Sequence, residues 1–219
     1  YKYQGVKNLM PVTINGDGSI TGLAVGGLPD GSVDADSLAS NAVTTNKIAN
    51  SAVTSTKTTL KQGITMYDKW VGASTTSGRQ DPYTNWVRHS YTGVHIATGM
   101  SHSSGIFTFP QTGIYMVRFN ADAYNVNNYE RTVDCAIEYT TNNSSYSSLQ
   151  VGSGCIHNEG SYNIHNTITV QTLLDVTNTT NVKVKFSVKA YNNESGLRLQ
   201  SYSAGGGFTY CDFTRVADT

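Results

Sequence analysis

Ser104-Gly-Ile-Phe-Thr-Phe-Pro-Gln-Thr-Gly-Ile-Tyr-Met-Val-Arg-Phe-Asn-Ala121 holds two β-forming runs joined by a turn. Pro110 lacks a backbone N–H to donate to a ladder, so it ends the first run. Gly113 can take the positive φ that the turn needs. From Tyr115 the pattern alternates, with Tyr115, Val117 and Phe119 on one face and Met116, Arg118 and Asn120 on the other. Period two over seven residues predicts a half-buried strand whose apolar face, led by Tyr115 and Phe119, looks into a core.

Working outward, the same grammar repeats. Val182-Lys-Val-Lys-Phe-Ser-Val188 puts Val182, Val184, Phe186 and Val188 on one side and Lys183, Lys185 and Ser187 on the other. Strands are predicted at 64–71, 86–91, 105–109, 113–124, 132–140, 147–153, 166–176, 181–191 and 207–216, separated by Gly, Asn and Ser clusters. Short strands at this spacing predict an all-β antiparallel sandwich. Composition agrees. With charged residues at 14%, against roughly 25% in ordinary domains, and with 14 Tyr and 21 Gly, the chain is β-rich and turn-rich.

The stretch from Ser104 to Ala121 resembles the C1q domain, in which a Gly-x-Phe-Thr run, a Pro-x-x-Gly-x-Tyr turn and an aromatic alternating strand follow one another. Phe107, Pro110, Gly113 and Tyr115 carry the match. The closing Gly206-Gly-Phe-Thr-Tyr-Cys-Asp-Phe-Thr-Arg-Val216 is similar to that family's final strand. The resemblance implies a C1q/TNF-like jelly roll of ten strands, associated as a homotrimer about a three-fold axis. The family's acidic calcium loops are not recognisable here, so no metal and no cofactor are carried over.

A different periodicity precedes the head. Val33, Leu38, Val43, Ile48 and Val53 recur at intervals of five, and in tens the segments read GSVDADSLAS, NAVTTNKIAN and SAVTSTKTTL. Neither a helix nor a strand presents every fifth residue on one face. An unstructured Ser/Thr/Asn linker would not hold aliphatic residues in phase. The small polar residues between them build no core, so the row is expected to be covered by symmetry mates, making these five residues the core of a trimeric stalk. The phrase from Ala42 to Ala49 resembles repeats of bacteriophage tail-fibre proteins. Upstream, Pro11 to Thr21 reads as a hairpin turning at Asn15-Gly-Asp-Gly18. The expected organisation is a hairpin or collar over 1–30, a decad stalk over 31–60 and a C1q-like head over 61–219. Tyr1-Lys-Tyr-Gln4 has neither an initiator Met nor the end of a processed leader, which reads as a piece of a longer chain.

Several function classes lose support. Lys plus Arg and Asp plus Glu stand at 15 each, which leaves no electrostatic footprint for nucleic acid, and no apolar run reaches bilayer length. Cys135, Cys155 and Cys211 lack metal-type spacing and are odd in number. They are expected as free thiols of a chain assembled in a reducing cytoplasm, with one Cys135–Cys155 or Cys155–Cys211 bridge as the alternative. His157 and His165 with Glu159 match no ligand grammar. Asp122, Glu130, Asp134 and Glu138 cannot be placed across a cleft from sequence, and no nucleophile elbow or phosphate loop occurs, so the chain is not expected to be an enzyme.

Candidate contacts remain in three loops rich in aromatic and amide side chains: Gln80 to Trp86, Tyr124 to Tyr129, and His157 to Asn163. Tyr83, Trp86, Tyr124, Tyr129, His157 and Tyr162 offer flat faces beside hydrogen-bonding groups, which suits stacking on sugars. The combined reading is a tail-fibre protein of a virion, binding a host surface molecule, with a glycan as the candidate, and joined to other virion proteins on its N-terminal side. A capsid head fibre or tail-assembly connector, a polysaccharide depolymerase and a secreted C1q-like adhesin are the alternatives.

Overall fold

Alternation from Gly113 produces a core strand of 13 residues, Gly113–Asn125: Tyr115, Val117, Phe119, Ala121 and Ala123 are fully buried, while Ile114, Met116 and Arg118 look out. The computed structural model describes residues 13–14, 16, 20–21, 36, 38–50, 52–53, 63–90, 95–126, 130–159, 162–191, 194–201 and 208–219. By internal contacts the chain divides into two units, Tyr1–Thr59 and Leu60–Thr219.

In the first unit, β1 (Thr13–Ile14) and β2 (Ile20–Thr21) pair antiparallel with Thr13 opposite Thr21. The decad row follows. Ala42 N–H donates to Ala39 O at 2.9 Å and Ala52 N–H to Ala49 O at 3.0 Å, so one turn recurs ten residues apart. A short 3-10 turn, Thr45–Lys47, lies between them, and Lys47 Nζ donates to Ala42 O at 2.7 Å. Leu38, Val43, Ile48 and Val53 are all exposed; Val33 lies outside the described residues.

In the second unit the described strands are β3 (Met66–Gly72), β4 (Thr76–Ser77), β5 (Trp86–Arg88), β6 (His95–Ile96), β7 (Ser101–Ser103), β8 (Ile106–Thr108), β9 (Gly113–Asn125), β10 (Glu130–Thr140), β11 (Ser147–Glu159), β12 (Tyr162–Ile164), β13 (Asn166–Val176), β14 (Lys183–Ala190), β15 (Leu197–Leu199) and β16 (Tyr210–Ala217). They form two antiparallel sheets. One runs β12-β11-β10-β14-β8-β7. The other runs β4-β15-β9-β16-β3-β5, with β13 on the free edge of β9 and β6 beside β3.

The sheets face each other over a core of aromatic rings. Phe107 and Phe213 lie 5.0 Å apart between centroids, Phe119 and Phe186 4.9 Å, and Trp86 and Phe186 5.7 Å. At one end the layers approach so closely that β11 carries glycine: a Cβ on Gly152 would sit 2.6 Å from Val170 Cγ1. Among the described residues Cys135, Cys155 and Cys211 are free thiols, the first and last of them buried.

Two expectations of local structure need correction. The strand expected to end at Ser153 continues to Glu159, because Tyr162–Ile164 folds back onto it with His157 opposite Ile164. His157 is therefore on a strand and not in a loop. Short strands at 76–77, 95–96, 101–103, 162–164 and 197–199 were not foreseen, since two or three residues carry no readable period.

Candidate functional site

A sandwich has two outward faces, and here they differ in chemistry. On the sheet built around β9, register pairs Leu173 with Met116, Met116 with Thr214, Thr214 with Tyr67 and Tyr67 with Ile96. Residues directly opposite one another point to the same side, so this is a row crossing five strands. Leu173 is 62% exposed and Ile96 46%. Four of the five side chains are large and apolar or aromatic in a phase that should be polar if the face met only water.

The next row carries Gln171, Arg118, Asp212 and Lys69. Arg118 donates Nε and Nη2 to Asp212 Oδ2 at 2.9 and 2.6 Å. Asp212 is only 1% exposed, and burial pushes its carboxyl above the ordinary value even though Arg118 and Lys69 pull it down. Burial likewise lowers the Lys69 ammonium, whose Nζ sits 4.2 Å from the Tyr210 ring centre. Beyond this row, His165 Nδ1 lies 2.5 Å from Asp122 Oδ1 and its ring stacks on Tyr124 at 4.5 Å. Thr167 donates to Asp122 Oδ2 at 3.1 Å.

Around Lys185 the outward face of the other sheet is ionic and internally paired. Lys185 Nζ bonds Asp81 Oδ1 at 2.7 Å and Glu138 Oε2 at 3.1 Å, and Ser187 donates to Glu138 Oε1 at 2.6 Å. That pairing is why Ser187, on the polar phase of its strand, is nevertheless buried. Apolar side chains are exposed on the other sheet too, Val151 and Tyr162 among them, but Val151 stands in a row with Ala136 and Ser187, so the continuous apolar row belongs to the β9 sheet.

The sequence matches no family model and no curated protein. Among solved structures, Eiger TNF from S. frugiperda superposes with a TM-score of 0.53 at 12% identity, over 70% of this chain and 94% of that one. Murine APRIL at pH 8.5 gives a TM-score of 0.48 at 12% identity, over 68% and 98%. The chain contains a TNF-like jelly roll.

Within the TNF-like jelly roll the predicted contact residues separate. Tyr83 and Trp86 are corrected: both are interior, because Gln80 bridges Val188 and Tyr83 N–H donates to Phe186 O at 2.7 Å, which pulls the segment onto β14 and turns the rings inward. Burial pushes the Tyr83 phenol up to about 12. Tyr124 has one ring face covered by His165. His157 is exposed on β11 and Tyr162 is 75% exposed on β12, so the β11–β12 hairpin brings those two together. Tyr129 lies outside the described residues.

Sequence reasoning placed Met116 on the outward phase but did not single it out as part of an apolar row with Leu173, Tyr67 and Ile96. The signal was present at Met116 and Leu173, which interrupt the polar phase of strands otherwise read for their core phase.

Proposed function

We propose that the chain is a homotrimeric binding module in which three jelly rolls meet through the outward face of the β9 sheet. The observation that carries this reading is the row Leu173–Met116–Thr214–Tyr67–Ile96, in which Leu173 and Ile96 are exposed, Met116 and Tyr67 are half-buried and Thr214 is covered within one chain. Each apolar Å² removed from water is worth about 25 cal/mol, a gain that works against the freedom lost when chains associate. The exposed decad residues Leu38, Val43, Ile48 and Val53 support the same symmetry, since a stalk of three chains covers them without help from small polar neighbours.

In this reading the particle is a virion fibre, of the tail-fibre type that the decad phrase resembles. It is assembled in the host cytoplasm and attached to other virion proteins through its N-terminal side. The head binds a host surface molecule, a glycan by preference, and acts by adhesion rather than by chemistry. Three equivalent heads turn individually weak contacts into strong attachment through effective concentration.

Sedimentation and light scattering on the intact chain test the assembly, with a mass of three chains expected and a stable single-chain species overturning it. Adsorption of purified protein to candidate host bacteria, and competition with intact particles for attachment, test the role. Protein that does neither overturns the fibre reading.

A further inference from the structure

The outward face of the β10–β14 sheet ends in a cleft of about 320 Å³ that includes Arg79, Thr132, Asp134, Lys189, Tyr191 and Glu194 in its lining. We propose that this cleft binds one neutral sugar ring, with Tyr191 as the stacking platform. The inference rests on the glycan-binding reading above and names its site.

The floor follows from register. Asp134 stands opposite Lys189, and one step further Tyr191 N–H donates to Thr132 O at 3.0 Å. Val133 and Ala190 between them are buried, so the four neighbours share the outward phase. On one flank, Ser153 of β11 donates to Asp134 Oδ1 at 2.5 Å. On the other, the bridge from Gln80 to Val188 sets Arg79 alongside, and Arg79 Nη1 comes within 4.0 Å of Glu194 Oε1. The backbone at Tyr191 is thus held while its ring is 83% exposed, the most exposed large apolar side chain among the described residues.

The chemistry points to a sugar. Two cations and two carboxylates leave no net charge, so nothing in the lining favours a phosphate or another charged ligand. Those four groups instead offer donors and acceptors side by side, which is what vicinal hydroxyls need, since each hydroxyl both donates and accepts. Lys189 has no partner among the described residues, and Asp134 keeps its second oxygen for a ligand. The Tyr191 face supplies the flat surface that the C–H side of a sugar ring packs against. Ligand pockets span roughly 300–1,000 Å³, and this volume sits at the lower end, which fits one ring. A peptide strand is a poor match for the cleft floor at Asp134, because β10 lies between β11 and β14 and presents no open edge there.

Saturation-transfer NMR with the intact chain tests the site, using methyl glycosides of glucose, galactose, mannose and N-acetylglucosamine and their neutral disaccharides as probes. At least one probe is expected to bind, Tyr191→Ala to weaken it by about tenfold, and Tyr191→Phe to leave it unchanged. The exposed ring makes Tyr191→Ala neutral for folding, which the thermal midpoint checks. Absence of binding to every probe, or binding that Tyr191→Ala leaves intact, overturns the proposal. Host-cell adsorption read on the same preparations keeps the two readings apart: adsorption that survives Tyr191→Ala defeats the cleft and spares the function.

Discussion

Trp86 meets Tyr83 edge to face, ring centroids 4.5 Å apart at 65°, and both rings are closed off from solvent. Trp86 also lies within 6.1 Å of Phe107, Phe119 and Phe186, so it joins rings contributed by β8, β9 and β14. Trp86→Ala is expected to cost about 3–5 kcal/mol, as other large-to-small aromatic core changes do. Urea titration checks it. A contact residue would instead leave the midpoint in place and change binding alone.

The pinch between the layers makes a second expectation. Gly152→Val puts a branched side chain where a Cβ alone already falls 2.6 Å from Val170 and 3.2 Å from Ile168, both buried. A loss of about 1–3 kcal/mol is expected from overpacking. Gly16→Ala, with nothing within 4 Å of its Cβ, serves as the neutral control in the same titration.

Association through the β9 sheet predicts that charge in the apolar row separates the chains. Met116→Asp and Leu173→Asp sit on the outward phase and so should leave the jelly roll folded by circular dichroism while light scattering falls to the single-chain mass. Three-chain mass retained by the double variant would place the contact elsewhere.

Thiol chemistry should distinguish the three cysteines. Burial pushes the Cys135 thiol up to about 12 and raises Cys211 well above its ordinary value, while Cys155 is exposed. Since the thiolate is the reactive form, a thiol reagent at neutral pH is expected to modify Cys155 promptly and the other two only after denaturation. Prompt modification of Cys211 in folded protein would contradict its placement.

Two carboxylates should give opposite pH slopes. Lys185, then Arg79, bonds Asp81 and holds its carboxyl below the ordinary 3.8. Its contribution to stability is therefore full above that value and is lost as pH falls through the lower folded value. Asp212 is raised by burial, so the native state holds its proton longer and stability falls as pH rises from about 3.8 through the higher folded value. Asp81→Asn should flatten the acid limb of a stability profile, whereas Asp212→Asn should remove the fall above it. Parallel shifts in both variants would mean these environments are assigned wrongly.

The legible parts of the fold were those with a local period. Residues 115–121 and 182–188 alternate without interruption, and their core sides are buried as read. Asn166–Val176 has the bounds expected from sequence. Tyr83 and Trp86 were misread because Pro82 and the small polar residues around them look like an exposed turn, and the pairing of Gln80 with Val188 that turns them inward joins residues more than a hundred apart. Tyr191 carried no local signal at all. A single tyrosine at the end of the strand expected over 181–191 resembles any surface residue until Arg79, Asp134 and Glu194 arrive beside it.

What the amino-acid order determined by itself was the alternation of apolar and polar side chains, hence strands, hence a sandwich, together with the five-residue row ahead of it. Side-chain direction along a strand needs no partner to be known. Which outward face would hold leftover apolar surface, which rings would close the core and where a cleft would open were decided only when distant strands came into register. Those features belong to pairs of strands, and no single strand contains them.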